Sequence, residues 1–169
     1  MTAKYVMRYL PEHKITFIHN PKTAGTSISR WLDNNFKTVA GRKHGHHKEV
    51  AEFFPDTVFT FGVVRNPWER LASWYQYANH SNETFQDWFL YRLQPADWFG
   101  DNVNMVLKFE NLEQDFLQIK TLLTNYDKLP IINNNIIYDY RTLYNNDLID
   151  LVRDVYMKDV IRYNYDFEI

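Results

Sequence analysis

The chain has 169 residues, 45% of them hydrophobic and 17% aromatic, which excludes a disordered or collagen-like polymer and suits one domain over residues 1–169. A net charge of −2 argues against a broad nucleic-acid face, and the absence of cysteine excludes disulfides, a thiolate nucleophile and a cysteine-based zinc site. No apolar run approaches the roughly 18 residues of a membrane span, and the charged start MTAKYVMRYLPEHK does not read as a signal peptide, so a soluble cytoplasmic protein is expected.

Residues 3–9 and 14–19 read as strands around the turn Pro11-Glu12-His13-Lys14. A loop over 20–25 leads into a helix to about residue 36, with Ile28, Trp31, Leu32 and Asn35 at helical spacing. A histidine-rich loop is expected over 37–46, then a short helix over 47–54. TVFTFGVV at 57–64 is a nearly all-apolar strand of the kind buried on both faces of a parallel sheet. Pro67 suits the first turn of the next helix. A helix over 84–93 and a strand over 103–109 follow. Asn111 is placed to cap a helix with Leu112, Phe116, Ile119 and Leu123 on its core face, and the last helix turns Leu148, Leu151, Val152 and Val155 inward. Strands alternating with helices predict an α/β three-layer sandwich around a mainly parallel sheet, whose ligands bind at the carboxyl ends of the strands.

That rule selects the segments after the two most apolar strands. Glycine is scarce, with 5 in the chain against about 12 for average usage, and four fall between Gly25 and Gly62, around these segments. In His19-Asn20-Pro21-Lys22-Thr23-Ala24-Gly25-Thr26-Ser27, small residues let the backbone curl into a helix N-terminus, Thr26 and Ser27 add hydroxyls, and Lys22 adds a full charge. This is a phosphate cradle, although GxxxxGK[ST] is absent and the lysine precedes the glycine. The plainer reading is a strand–turn–helix connection capped by Thr26. In Arg65-Asn66-Pro67-Trp68-Glu69-Arg70-Leu71-Ala72-Ser73, Trp68, Leu71, Ala72 and Tyr75 form a core stripe. Arg65 stands where an NTPase would place a Mg²⁺-binding Asp, and both Arg65 and Ser73 suit an anion. The plainer reading pairs Arg65 with Glu69 and leaves Ser73 exposed.

Together, HNPKTAGTS and VVRNPWERLASWY resemble the two nucleotide signatures of sulfotransferases that use 3′-phosphoadenosine 5′-phosphosulfate (PAPS), most closely the carbohydrate-type branch. QPADWF at 94–99, LKFENLEQDF at 107–116 and the tail from Tyr144 extend the resemblance over most of the chain. It implies a P-loop-like fold, PAPS as donor, 3′,5′-bisphosphate (PAP) as product, and no required metal. It further implies that Lys22 contacts the transferring group, that Thr23, Ala24, Gly25, Thr26 and Ser27 hold the 5′-phosphate, and that Arg65 and Ser73 hold the 3′-phosphate. The 133–141 stretch falls where the family often covers the nucleotide.

An unperturbed histidine titrates near 6.5 and is the natural base for a hydroxyl acceptor. His44-Gly45-His46 resembles the HGH of uronyl 2-O-sulfotransferases, and the broader branch keeps a GH, which selects His46 first and His44 second. A metal at HGHH lacks further ligands, and a solvated basic loop is the plain alternative. His13 and His19 read as structural, and Trp88 and Trp98 as core aromatics that a sugar ring could otherwise stack on. The acceptor is expected to be a glycan or small molecule, with no nucleic acid or membrane as partner. A Mg²⁺-dependent P-loop kinase and a silent nucleotide-binding module stand as the alternatives.

Overall fold

Pro11 to Lys14 reverse the chain, with His13 N–H donating to Leu10 O at 3.2 Å and Lys14 in the left-handed region at φ 54°. The two flanking strands are β1 (Val6–Leu10) and β2 (Ile15–Ile18), paired antiparallel with Leu10 opposite Ile15 and Arg8 opposite Phe17. The structure, a computed structural model, describes residues 6–43, 47–78, 83–92, 99, 101–132 and 139–167. The chain forms two compact units, Met1–Val64 with Trp98–Asn133 and Arg65–Asp97 with Asn134–Ile169.

The first unit is a five-stranded sheet with helices on it. Its elements are β1, β2, α1 (Gly25–Asn35), β3 (Val39–Lys43), α2 (His47–Phe53), β4 (Phe59–Val64), β5 (Met105–Lys108) and α5 (Leu112–Leu122), with α3 (Pro67–Ala78) and α4 (Phe85–Arg92) belonging to the other unit. Strand order is β3-β1-β2-β4-β5. β2, β4 and β5 run parallel, whereas β1 is antiparallel to both β2 and β3. The sheet is therefore mixed, not mainly parallel as expected. A four-residue turn cannot make a parallel crossover, which needs about a dozen residues, so the opening hairpin forces the antiparallel half. β3 itself falls where a loop was expected. Val39 is 42% exposed and Gly41 interrupts the run, so this edge strand carries no alternating pattern to announce it.

One face of the sheet presents Leu10, Ile15, Phe17, Phe61, Val63 and Leu107, which pack with Ile28, Trp31 and Leu32 of α1 and Phe116 and Ile119 of α5. Each such side chain contributes roughly 1.5–3 kcal/mol on burial. Trp31 also donates its indole N–H to Asp127 O at 3.0 Å, and Arg8 reaches Asp33 of α1 at 2.8 Å. Asn111 does not cap α5 through its side chain as expected. It closes a 3₁₀ turn (Phe109–Asn111) and donates to Asp115, whose other oxygen accepts from Lys108 N–H at 2.8 Å.

The second unit is helical: α3 (Pro67–Ala78), α4 (Phe85–Arg92), a 3₁₀ turn at Tyr140–Leu143, α6 (Asn146–Val155) and α7 (Met157–Tyr163). The expected stripe of α3 is its core face, with Trp68, Leu71 and Ala72 fully buried. Trp68 donates to Ile149 O of α6 at 3.1 Å, and its own carbonyl accepts from the Tyr144 hydroxyl at 2.8 Å. Trp88 is buried against Trp74, Tyr75 and Phe85, as the core reading expected. The final helical segment is two helices, α6 burying Leu148 and Val152 while Leu151 and Val155 are half-buried. Trp98 lies outside the described residues.

In the middle of β4, a Cβ on Gly62 would stand 2.2 Å from the ring of buried Phe99. Gly62→Ala is therefore expected to lose about 1–3 kcal/mol to overpacking. Urea unfolding followed by tryptophan fluorescence checks this, and Phe99→Leu added to the same chain should recover part of the loss.

Candidate functional site

The segment after β2 turns sharply within the first unit. His19 and Asn20 are buried at the strand end, and Asn20 Nδ2 donates to Val63 O of β4 at 3.3 Å. Thr23 is fully buried and donates its hydroxyl to Asn20 O at 2.8 Å, which closes the loop on itself. Lys22 and Ala24 both adopt left-handed backbone, at φ 65° and 62°, a conformation that costs a non-glycine residue of order 1 kcal/mol or more and that recurs in anion-binding turns. Gly25 then opens α1 directly against the His19 imidazole, where a Cβ would come within 2.2 Å of the ring.

Ala24 occupies the N-cap of α1 and supplies no side-chain cap. Thr26 is the second residue of the helix, so it does not play the capping role that the plainer reading gave it. An N-terminus without a capping side chain keeps its partial positive charge and first-turn N–H groups for another acceptor. Lys22, Ala24 and Thr26 are half-buried, whereas Thr23, Gly25 and Ser27 are buried. Ser27 Oγ accepts from Ile132 N–H at 3.2 Å and keeps its own proton to donate. All six residues expected in the cradle thus sit on one strand–turn–helix. Thr23 serves it as a staple, and the sequence reading missed Asn20, whose signal was the Asn-Pro step that initiates turns.

In the second unit, Asn66 caps α3: Oδ1 accepts from the N–H of Trp68 at 3.1 Å and of Glu69 at 3.4 Å. Pro67 fills the first helical position, as expected, and Asn66 Nδ2 donates to Asp166 O at 2.7 Å. Asn66 was missed as well, and its signal was again Asn-Pro, here with a carboxylate three residues on. Arg65 is buried and its Nη2 lies 2.8 Å from Glu69 Oε1. The pairing with Glu69 is therefore present, but Ser73 is 6% exposed and not a surface residue. Arg70 is buried with its guanidinium 5.1 Å from the centre of the Tyr156 ring. Burial holds the Tyr144 phenol well above its ordinary range, and burial together with the Glu69 charge raises Tyr140.

His44, Gly45 and His46 lie outside the described residues. β3 and β2 are both antiparallel to β1, so both run the same way and end at one edge of the sheet, at Lys43 and Ile18. The cradle leaves from one of these ends, and the chain enters the HGH segment from the other. Residues 133–138, part of the stretch expected to cover a nucleotide, are also outside the described residues. At its end, Asp139 is held below its usual value by hydrogen bonds from Arg141, with Nε at 2.7 Å. Among the described residues, no group of three or more histidine or carboxylate side chains could hold a metal ion.

A family model described as the Sulfotransferase family matches residues 6–127, which include both loop segments. No curated protein and no solved structure matches the chain.

Asn66→Ala removes two acceptor contacts at the helix cap and one donor to the chain near the C-terminus. It is expected to destabilise by about 2 kcal/mol in chemical denaturation. Asn66→Asp keeps the cap acceptor and should lose about half as much.

Proposed function

The chain belongs to the sulfotransferase family, and on that premise we propose that it transfers a sulfuryl group from PAPS to a hydroxyl of a carbohydrate or small-molecule acceptor, by in-line displacement without a metal and with residues 1–169 acting as one catalytic domain. The observation that carries the reading is the N-terminus of α1, which has no side-chain cap and is reached through two left-handed residues, Lys22 and Ala24. Those features fit a phosphosulfate group, which brings negative charge and many acceptor oxygens to donors already in place.

Bound there, PAPS supplies an electrophilic sulfur on a phosphate leaving group, so that the acceptor oxygen–sulfur bond forms as the sulfur–bridging oxygen bond breaks and PAP departs. The backbone of Thr23, Ala24 and Gly25, with Thr26 and Ser27, holds the 5′-phosphate. Lys22 neutralises the charge that grows on the bridging oxygen, the type of preorganised contact that dominates such transfers. Arg65 and Ser73 hold the 3′-phosphate. His46 takes the hydroxyl proton, with His44 as the second candidate. No nucleic acid or membrane enters this reading, and no helix among the described residues is long and apolar enough to cross a membrane.

Adenosine 3′,5′-bisphosphate is expected to stabilise the protein in EDTA, by about 2.7 kcal/mol at 100 times its dissociation constant. AMP should do less at the same concentration. Thermal shift measures both: equal effects remove the 3′-phosphate reading, and stabilisation by ATP only with Mg²⁺ favours a kinase.

Lys22→Ala should lower turnover about 10²–10³-fold while the bisphosphate still binds. His46→Ala should lower it about 10²–10⁴-fold with binding intact, and His44→Ala should do less. Activity of the wild type should rise with pH through the histidine range, because the base acts in its neutral form. Single-turnover assays beside bisphosphate titrations separate these effects. A larger loss in His44→Ala exchanges the two roles.

A further inference from the structure

The proposed 3′-phosphate site already contains an anion. Arg65 precedes the cap of α3, its side chain is 6% exposed, and its Nη2 meets Glu69 Oε1 at 2.8 Å. The Glu69 side chain is 26% exposed, so the carboxylate forms the more solvent-facing member of the pair. Glu69 sits at the third position of α3, which favours a negative charge near the N-terminal N–H groups. One turn further along the same helix face stands Ser73, 6% exposed. Along the chain Glu69 therefore stands between the two residues assigned to the phosphate. Its charge is also felt at Tyr140, where it adds to burial in raising the phenol.

A guanidinium fork recognises carboxylates and phosphates by the same planar donors. A buried arginine left without a counter-ion would be strongly unfavourable, and Glu69 removes that penalty while the site is empty. A 3′-phosphate carries a charge of about −1.5 to −2 at neutral pH. A 3′-phosphate that takes the Nη2 donor of this guanidinium meets the carboxylate already there.

Resting on the reading of Arg65 as a 3′-phosphate ligand, we propose that Glu69 limits affinity for the 3′-phosphate: its carboxylate occupies the Arg65 donor that the 3′-phosphate takes, and nucleotide binding exchanges one anion for the other. Ligands without a 3′-phosphate leave the pair intact and gain nothing from Arg65. Ligands with one gain the arginine and lose part of that gain in displacing Glu69. The residue thus lowers affinity for the bound nucleotide, and so eases release of the bisphosphate product, while it pairs Arg65 in the empty site.

The test is calorimetric titration of adenosine 3′,5′-bisphosphate and AMP into the wild type, Glu69→Gln and Glu69→Asp. Glu69→Gln keeps the shape and an acceptor for Arg65 but removes the charge. It is expected to tighten the bisphosphate about tenfold and to leave AMP within about twofold. Glu69→Asp keeps the charge on a shorter arm and is expected to tighten the bisphosphate about threefold. A weaker or unchanged bisphosphate in Glu69→Gln overturns the proposal, the first because Glu69 would then only position Arg65. Parallel shifts of both ligands overturn it too, since they mark a general structural effect. If Glu69→Gln does not fold, Glu69→Asp decides: a gain confined to the bisphosphate supports the exchange, and no gain or a loss overturns it. Equal affinities of the wild type for bisphosphate and AMP would instead show that the 3′-phosphate reading has failed, a result visible without any variant.

Discussion

The His19 imidazole fills the space that a Cβ on Gly25 would need, and the first unit's loop depends on that contact. It lets α1 begin directly against the end of β2, with only five residues between the ring and the helix. So short a turn is made with Lys22 and Ala24 in left-handed backbone, each costing of order 1–3 kcal/mol. The core sustains the strain. Phe17 on the strand and Ile28, Trp31 and Leu32 on the helix are fully or nearly fully buried in one cluster, which fixes both ends of the loop. The loop proposed to hold the phosphosulfate thus takes its shape from how tightly strand and helix are packed.

An Asn-Pro step follows each of the two apolar strands, and the two are used differently. Asn20 stitches its loop to the neighbouring strand through Val63 O. Asn66 caps a helix with its side-chain oxygen and holds the chain near the C-terminus with its amide nitrogen. In both cases the amide side chain is buried and satisfied by backbone, which costs little and leaves the charged neighbours, Lys22 and Arg65, to be oriented by a rigid frame. Lys22 is half-buried, and Arg65 is held by Glu69. The two cations therefore stand in different settings, Lys22 just before a helix N-terminus and Arg65 paired with a carboxylate.

Much of this was legible in the residues themselves. Unbroken apolar runs marked β2 and β4, helical spacing marked α1, α3 and α5, and the order of two short motifs pointed to the family that the chain proved to belong to. The edge strand β3 was not legible, because its exposed Val39 and interior Gly41 lack the alternation that burial on one face imposes. The break between α6 and α7 was hidden because polar and apolar residues continue at helical spacing through Tyr156.

Local chemistry determined which apolar segments are strands, which loops carry charge and hydroxyls, and which asparagines begin turns, since those preferences depend on neighbours a few residues away. Only the tertiary structure decided that the sheet is mixed, that Thr23 turns inward while Thr26 does not cap, and that Ser27 accepts from Ile132 N–H. It also decided that Ser73 is buried, not exposed. These outcomes rest on contacts between distant residues, or on a choice between rotamers that burial alone makes, and no window of sequence contains them.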